Sequence, residues 1–175
     1  MRLEAMAVQF PHVEGHPNRV PFEGVLTVVN APSDKAPAGA RGHRVMLTRE
    51  AAEKALPSLL GMAVDYRPGW DGHDARRKIG LLTEATVLGA QLVVKGYLYA
   101  RDFPEVATAI LAHAPQSMGM SYELADARVE DMRADIWKLT RVTFTGAAIL
   151  LREKAAYRAT SFKMAANKNG VSAVS

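Results

Sequence analysis

Two residues whose side chains could do covalent chemistry lie in separate short motifs. His73 lies in the segment W-D-G-H-D-A-R-R-K-I-G, and Ser117 lies in P-Q-S-M-G-M-S. A hydroxyl attacks a carbonyl carbon when a neighbouring base removes its proton, and the imidazole is the side chain that titrates closest to neutral pH. Together the motifs indicate a hydrolase with a serine nucleophile and a histidine general base.

The serine motif also predicts a strand. Side chains alternate between the two faces of a strand, so Ser117, Gly119, Ser121 and Glu123 share one face. One imidazole can hydrogen-bond only one of the two serines, because they stand at different points along the strand. Glycine between them is expected to leave room for a peptide substrate lying along the strand. The alternative is that the motif is only a polar, exposed strand face.

His73 lies between two acidic residues in the tetrapeptide D-G-H-D. Either Asp71 or Asp74 could orient the imidazole for proton transfer, and loops on a rigid sheet often carry such groups. A metal site built from these three residues is the weaker interpretation, because adjacent residues rarely converge on one ion and no H-x-E or H-x-x-x-H spacing is present. A plain surface histidine is the remaining alternative.

Composition excludes several classes of protein. The 175-residue chain contains no cysteine, which removes a disulfide framework, a thiolate nucleophile and a cysteine-ligated zinc site. No apolar run approaches the roughly 18 to 20 residues of a membrane helix, and the first residues do not form a signal-peptide pattern. We therefore expect a soluble, cytosolic protein that makes no membrane contact.

A net charge of +4 raises the question of a nucleic-acid partner. Only residues 76–78 form a run of three basic side chains, and an aromatic content of 7% offers few stacking surfaces for bases. Nucleic acid is therefore not expected as a partner.

The pattern along the chain predicts an α+β domain over residues 20–164. We expect an N-terminal arm or edge strand over residues 1–19 and a disordered tail over residues 165–175. Thr48 is the predicted N-cap of a first helix, which Pro57 should split, and Pro104 and Pro115 should bound a second helix. The remaining predicted elements are a strand over 20–30, a Pro/Gly/Ala loop over 31–42, a hairpin over 78–99, strands over 117–125 and 136–145, and a helix-like stretch before residue 165.

The order of these motifs resembles the prohead serine proteases of tailed phages. Residues 73–80, H-D-A-R-R-K-I-G, are similar to the family's H-D, short polar stretch and I-G at the start of a strand. Residues 117–120, S-M-G-M, are similar to its S-x-G, and F-E-G-V-L-T is similar to its first strand. The resemblance covers roughly residues 20–160.

The resemblance implies a fold, an activity and partners. It implies a compact antiparallel β-barrel with packed helices, like that of herpesvirus maturation proteases, in which Ser117 is the nucleophile and His73 the general base. The substrates would be scaffold and major capsid proteins inside an assembling procapsid in the host cytoplasm. The protein could form a homo-oligomer, and no metal or organic cofactor is expected.

The chain also departs from the family pattern. Arg141 stands where the family carries an acidic residue, and no histidine follows Ser117 to supply a His-Ser-His arrangement. The third catalytic member is therefore open among Asp71, Asp74 and Glu123, and a Ser-His dyad is a further option. The alternative function is a non-catalytic capsid or scaffold component that keeps the protease fold as an interaction module.

Overall fold

One curled β-sheet forms most of the molecule, with two short helices packed at its margins. The structure is a computed structural model that describes residues 6–11 and 13–165. The strands and helices are β1 (Met6–Ala7), β2 (Arg19–Val28), β3 (Arg44–Leu47), α1 (Arg49–Ala55), β4 (Ala63–Asp65), β5 (Lys78–Leu88), β6 (Gln91–Tyr99), α2 (Pro104–Ala112), β7 (Met118–Val129), β8 (Ile136–Leu151) and β9 (Ser161–Met164).

The expected combination of a β-sheet with packed helices is confirmed, but the sheet is mixed and open and does not form the expected compact antiparallel barrel. The strands are hydrogen-bonded in the order β3-β8-β4-β5-β6-β2-β9. Two strands lie off this path: β7 pairs with β8, and β1 pairs with β5. β3 and β4 both pair in parallel with the long strand β8, because the crossover through α1 brings the chain back in the same direction. Within the described residues no backbone ladder joins β7 to β2 or β9. The side chain of Met120 instead fills the space beside Gly24 of β2, where an added Cβ would lie 2.5 Å from its sulfur.

Several local predictions are confirmed by their hydrogen bonds and turns. Thr48 caps α1, since its Oγ1 accepts a hydrogen bond from the Ala51 amide at 3.1 Å. The α-helix ends before Pro57, and residues Leu56–Leu59 continue as a 3-10 turn. The hairpin of β5 and β6 turns at Gly89, whose φ of 58° is in the left-handed region that favours glycine.

The end of the chain differs from its prediction. The expected helix-like stretch before residue 165 is a series of turns followed by β9, which pairs antiparallel with β2. Phe162 is buried and stacks on Phe22 with ring centroids 5.0 Å apart, so packing outweighs the local helix preference. The predicted disordered tail lies outside the described residues, except for Ala165, whose amide donates to the Pro21 carbonyl.

The partly buried Tyr122 and the buried Tyr157 fix β7 against the rest of the core. The ring of Tyr122 on β7 meets Phe144 of β8 edge to face at 5.5 Å. Burial raises the pKa of Tyr122 to about 12, and it also raises the pKa of Tyr157, whose hydroxyl donates to the Val45 carbonyl. Both phenols stay neutral at physiological pH and act as hydrogen-bonding groups of the core. In the part of the chain that the structure describes, no helix has the length and apolar character needed to span a bilayer.

Candidate functional site

The register of three strands places two polar residues on one face of the sheet. Ala148 of β8 pairs with Asp65 of β4 on one side and with Ser121 of β7 on the other. Directly paired residues point to the same face of a sheet, so Asp65 and Ser121 flank the small side chain of Ala148. A short side chain at this position leaves space above the sheet for a third group.

The loop between β4 and β5 brings His73 into this space. The buried Trp70 anchors the loop midway between β4 and β5, because its carbonyl accepts a hydrogen bond from the Leu151 amide at 2.8 Å. It is anchored again where it returns, since the Asp74 amide donates to Asp65 Oδ1 at 3.2 Å. These two contacts hold the intervening residues against the face that carries Asp65 and Ser121.

His73 lies between two carboxylates. Its Nδ1 is 3.5 Å from Asp65 Oδ1 and 4.0 Å from Glu123 Oε1. The imidazole is mostly buried, and neither ring nitrogen has a hydrogen-bond partner among the described residues. Buried polar atoms are usually hydrogen-bonded, so an unpartnered imidazole next to a cavity is a group that a substrate can engage.

Asp65 is the buried anion of the site, and it was missed by the sequence analysis. Its side chain is 1% exposed, and its second oxygen lies 3.2 Å from Lys78 Nζ. Burial is the largest influence on this carboxyl and raises its pKa, but His73, the Asp74 amide and Lys78 together outweigh burial and hold the pKa below its usual value. The signal for Asp65 is a carboxylate that ends an apolar strand shortly before His73, in A-V-D.

Glu123, which the strand pattern had placed on the same face as the serines, reaches His73 across β8. Its side chain lies over Gly146, where an added Cβ would stand only 2.7 Å from Glu123 Oε2. The glycine therefore provides the path by which this half-exposed carboxylate approaches the imidazole. The sequence T-G-A-A, with three small residues at 146–148, marks the part of β8 above which the site is built.

The two aspartates that flank His73 in sequence are engaged elsewhere. The Asp71 carboxylate forms an ion pair with Arg67, whose Nε lies 2.7 Å from Asp71 Oδ1, and this contact lowers the pKa of Asp71. Asp74 accepts hydrogen bonds from the Arg76 amide and from Arg77 Nε. Across residues 6–11 and 13–165, the carboxylates within 4.0 Å of the imidazole are those of Asp65 and Glu123. The same residues include no cluster of three or more His, Asp or Glu side chains that could hold a metal ion.

The structure separates the two candidate serines. Ser117 precedes β7, and its hydroxyl donates to the Ala114 carbonyl at 2.7 Å in the turn after α2. Ser121 lines the same cavity as His73, and Ser117 is not among the residues that line it. Four residues of extended chain span about 13 Å, so a group held over Ala148 is close to Ser121 and far from the Ser117 turn.

The expected role of Gly119 is wrong. We expected this glycine to leave room for a substrate, but protein atoms occupy the space: an added Cβ would lie 2.5 Å from Thr160 Oγ1 and 2.8 Å from Arg152 Cγ. Arg152 is fixed there, because its amide donates to the Ser117 carbonyl and its guanidinium donates to the Gln116 carbonyl. Gly119 is therefore required by close packing at the start of β7.

A cavity of about 910 Å³ opens beside His73. It extends along β7 from the charged residues of the site to an apolar end, and the loop over residues 35–41 lines it as well. At the apolar end Trp137 is held by a hydrogen bond from its Nε1 to the Met132 carbonyl, while the Met132 side chain is 51% exposed. The volume of the cavity is within the range of clefts that bind ligands. Arg141 is exposed on β8 opposite Arg128 of β7, and it is not among the residues that line the cavity.

Comparisons with known proteins find a structural likeness but no matching sequence. No protein-family model matches the sequence, and no curated protein matches it. Among solved structures, the chain is similar to a KSHV protease crystallised with a hexapeptide phosphonate inhibitor, at 10% sequence identity and a TM-score of 0.45. The match covers 82% of this chain and 65% of the KSHV protease chain, so this chain spans less than two thirds of that protein.

Proposed function

We propose that this protein is a serine peptide hydrolase in which His73 is the general base. The observation that supports the proposal is the buried imidazole of His73, which lies between Asp65 and Glu123 with both nitrogens unpartnered and lines one cavity with Ser121. Nucleophile, base and orienting acid are the groups that acyl transfer needs in mutual proximity.

The chemistry follows from the two sides of the imidazole. The Asp65 carboxylate accepts a hydrogen bond from Nδ1–H and keeps the proton of the neutral ring on that nitrogen. Nε2 is then free to accept the proton of the serine hydroxyl as the oxygen attacks the substrate carbonyl. The protonated ring then donates that proton to the leaving amine, and water hydrolyses the acyl-enzyme by the same steps. The 3.5 Å separation of Nδ1 and Asp65 Oδ1 is longer than a strong hydrogen bond, and such contacts commonly shorten when substrate binds.

The geometry supports Ser121 as the nucleophile, whereas the sequence resemblance favours Ser117. Ser121 lies on the face that carries Asp65 and lines the cavity, and it has no hydrogen-bond partner among the described residues that would hold its hydroxyl elsewhere. The hydroxyl of Ser117 is already donated to a backbone carbonyl. We therefore propose Ser121, and the experiment below distinguishes the two serines.

The sequence resemblance indicates which proteins this hydrolase would cleave and where. We propose that the enzyme is a prohead endopeptidase that cleaves scaffold and major capsid proteins during head assembly in the host cytoplasm. The motifs around His73 and Ser117 and the order of the strands and helices support this setting.

A second candidate is a non-catalytic scaffold or capsid component. It is favoured by one observation: among the described residues, no serine hydroxyl is hydrogen-bonded to His73. Such a protein would keep the cavity as a docking surface and would cleave nothing.

A fluorophosphonate probe tests the proposal without knowledge of the substrate, because it reacts only with serines that an adjacent base activates. Intact-mass analysis should show one adduct on the wild type, and peptide mapping should place it on Ser121. Ser117→Ala should still be labelled, whereas Ser121→Ala and His73→Ala should not be, with circular dichroism as the control for folding.

Other outcomes assign the site differently. An adduct on Ser117 that survives Ser121→Ala would return the nucleophile to the position favoured by the resemblance. No adduct on the folded wild type, together with intact scaffold and capsid proteins after coexpression, would favour the non-catalytic alternative.

A further inference from the structure

The cavity beside His73 carries more basic than acidic side chains. Besides the imidazole, it is lined by two acids, Asp71 and Glu123, and by four cations, namely Lys35, Arg41, Arg67 and Lys154. The excess of positive charge lies in a concave surface, where low-dielectric walls strengthen the field felt by a ligand.

Two of these cations have no ion-pair partner among the described residues. Arg67 is paired with Asp71 at 2.7 Å, and Lys35 Nζ donates to the Glu153 carbonyl at 2.7 Å. Arg41 and Lys154 make no salt bridge within 4.0 Å in residues 6–11 and 13–165, and both are exposed. Lys154 is close enough to Asp71 to help lower the pKa of that carboxyl, but neither cation is neutralised by a direct ion-pair contact.

The loop that presents Arg41 is held in an unusual conformation. Arg41 has a φ of 51°, between Gly39 at 82° and Gly42 at 85°. Arginine is disfavoured in this left-handed region, and such residues concentrate at ligand-binding sites. The base of the loop is fixed, since the Asp34 carboxylate accepts a hydrogen bond from the Arg158 amide at 2.7 Å. The conformation thus holds a cation at the rim of the cavity.

We propose that the cavity selects acidic peptide segments, whose glutamate or aspartate side chains pair with Arg41 or with Lys154, both of which line it. The proposal rests on the proposed function, because it names the substrate class of the same site. Charge complementarity identifies the occupant: a peptide can place one carboxylate near the free cations while its neighbouring residues are uncharged.

A nucleic acid fits the same surface less well. It carries a phosphate at every nucleotide, so several would meet Glu123 and Asp71 inside the cavity. The apolar end, lined by Ala127, Val129 and Met132, also offers contacts to peptide side chains rather than to phosphates.

The test compares two fluorescein-labelled decapeptides of alanine and serine, one with two central glutamates and one with glutamines in their place. Binding is measured by fluorescence anisotropy to the Ser117→Ala/Ser121→Ala double variant, so that no cleavage occurs. The glutamate peptide should bind about fivefold more tightly or better, as expected for exposed ion pairs worth up to about 1 kcal/mol each. The preference should fall as salt is raised, because ions screen exposed charges.

The preference should disappear when Arg41→Gln and Lys154→Gln are added. The matched control is Lys54→Gln, because Lys54 is an exposed lysine on α1 that pairs with Glu50 outside the cavity, and this variant should keep the full preference. Equal binding of the two peptides, no binding of either at millimolar concentration, or a preference that survives the double substitution would overturn the proposal.

Two further results distinguish this proposal from a nucleic-acid site and from a non-catalytic docking surface. In a competition assay, a single-stranded oligonucleotide and the unlabelled glutamate peptide each displace the labelled glutamate peptide. If the oligonucleotide does so at the lower concentration, the proposal is overturned in favour of a nucleic-acid surface. Failure of fluorophosphonate labelling with an intact glutamate preference would instead reject the hydrolase and leave an acid-binding docking surface.

Discussion

The first and middle parts of β7 share one strand face but have opposite surroundings. At the first part, Gly119 is packed against Thr160 and Arg152, and the preceding Ser117 is hydrogen-bonded within a turn. In the middle part, Ser121 and Glu123 face a cavity and lie beside the imidazole of His73. A serine motif therefore does not show by itself which hydroxyl lies near His73, because the neighbouring segments decide which serine faces the cavity.

The largest expected effect concerns Asp65, the buried acid on β4 that faces the middle part of β7 across Ala148. Asp65→Asn should lower the rate of peptide cleavage by about 10²- to 10⁴-fold, because the amide no longer holds His73 in the tautomer that accepts the serine proton. Cleavage of coexpressed scaffold protein, followed on gels with circular dichroism as the folding control, measures the effect. The matched variant Asp131→Asn, whose carboxylate is paired with Arg133 outside the cavity, should stay within about threefold of the wild type. Equal losses in both variants would contradict the role of Asp65.

A smaller effect should distinguish the two close-packed glycines. Gly119→Ala places a Cβ against Thr160 Oγ1 and the fixed Arg152, so we expect a loss of about 1 to 3 kcal/mol in the free energy of unfolding. Gly146→Ala meets the Glu123 side chain, whose carboxylate can rotate away but whose Cβ would lie 3.3 Å from the new methyl group, so we expect a smaller loss of about 1 kcal/mol or less. Urea unfolding measures both values.

The two glycine variants should rank in the opposite order when cleavage activity is measured in place of stability. Gly146→Ala should alter cleavage more than Gly119→Ala at a temperature where both are folded, because it displaces a carboxylate from His73. If Gly119→Ala proves the more stable variant, or if it alone abolishes cleavage, the contrast between the two parts of β7 is wrong.

The smallest effect is the pH dependence of stability. The pKa of Asp65 is lowered in the folded protein from an ordinary value of 3.8, so its ionised form stabilises the fold above that pH, and this contribution is lost as the pH falls through the lower folded value. The wild type should therefore be more stable than Asp65→Asn near pH 7, and the difference should shrink below about pH 4. Urea unfolding at pH 7, 5, 4 and 3 gives the comparison. A difference that grows with acidity would show that the carboxyl is protonated in the fold.

Some parts of the molecule could be predicted from short stretches of sequence. The Thr48 cap, the break at Pro57 and the turn at Gly89 depend on the conformational limits and hydrogen-bonding groups of single residues. The choice of His73 as the central group rests on the chemistry of its side chain, and Glu123 was included because strand alternation places it on the same face as the serines. These inferences need only neighbours within a few positions.

The partners of those residues were decided by the tertiary structure. Asp65 and Ser121 come together because each pairs with Ala148, 83 and 27 positions away in the chain, and neither pairing is encoded in a local pattern. The same holds for the parallel pairing of β3 and β4 with β8, for β9, and for the packed surroundings of Gly119. Long-range register depends on the summed burial of many side chains, whereas caps, turns and side-chain chemistry belong to individual residues. The sequence by itself therefore determined the candidate His73, and only the fold brought Asp65 and Ser121 to the face that His73 covers.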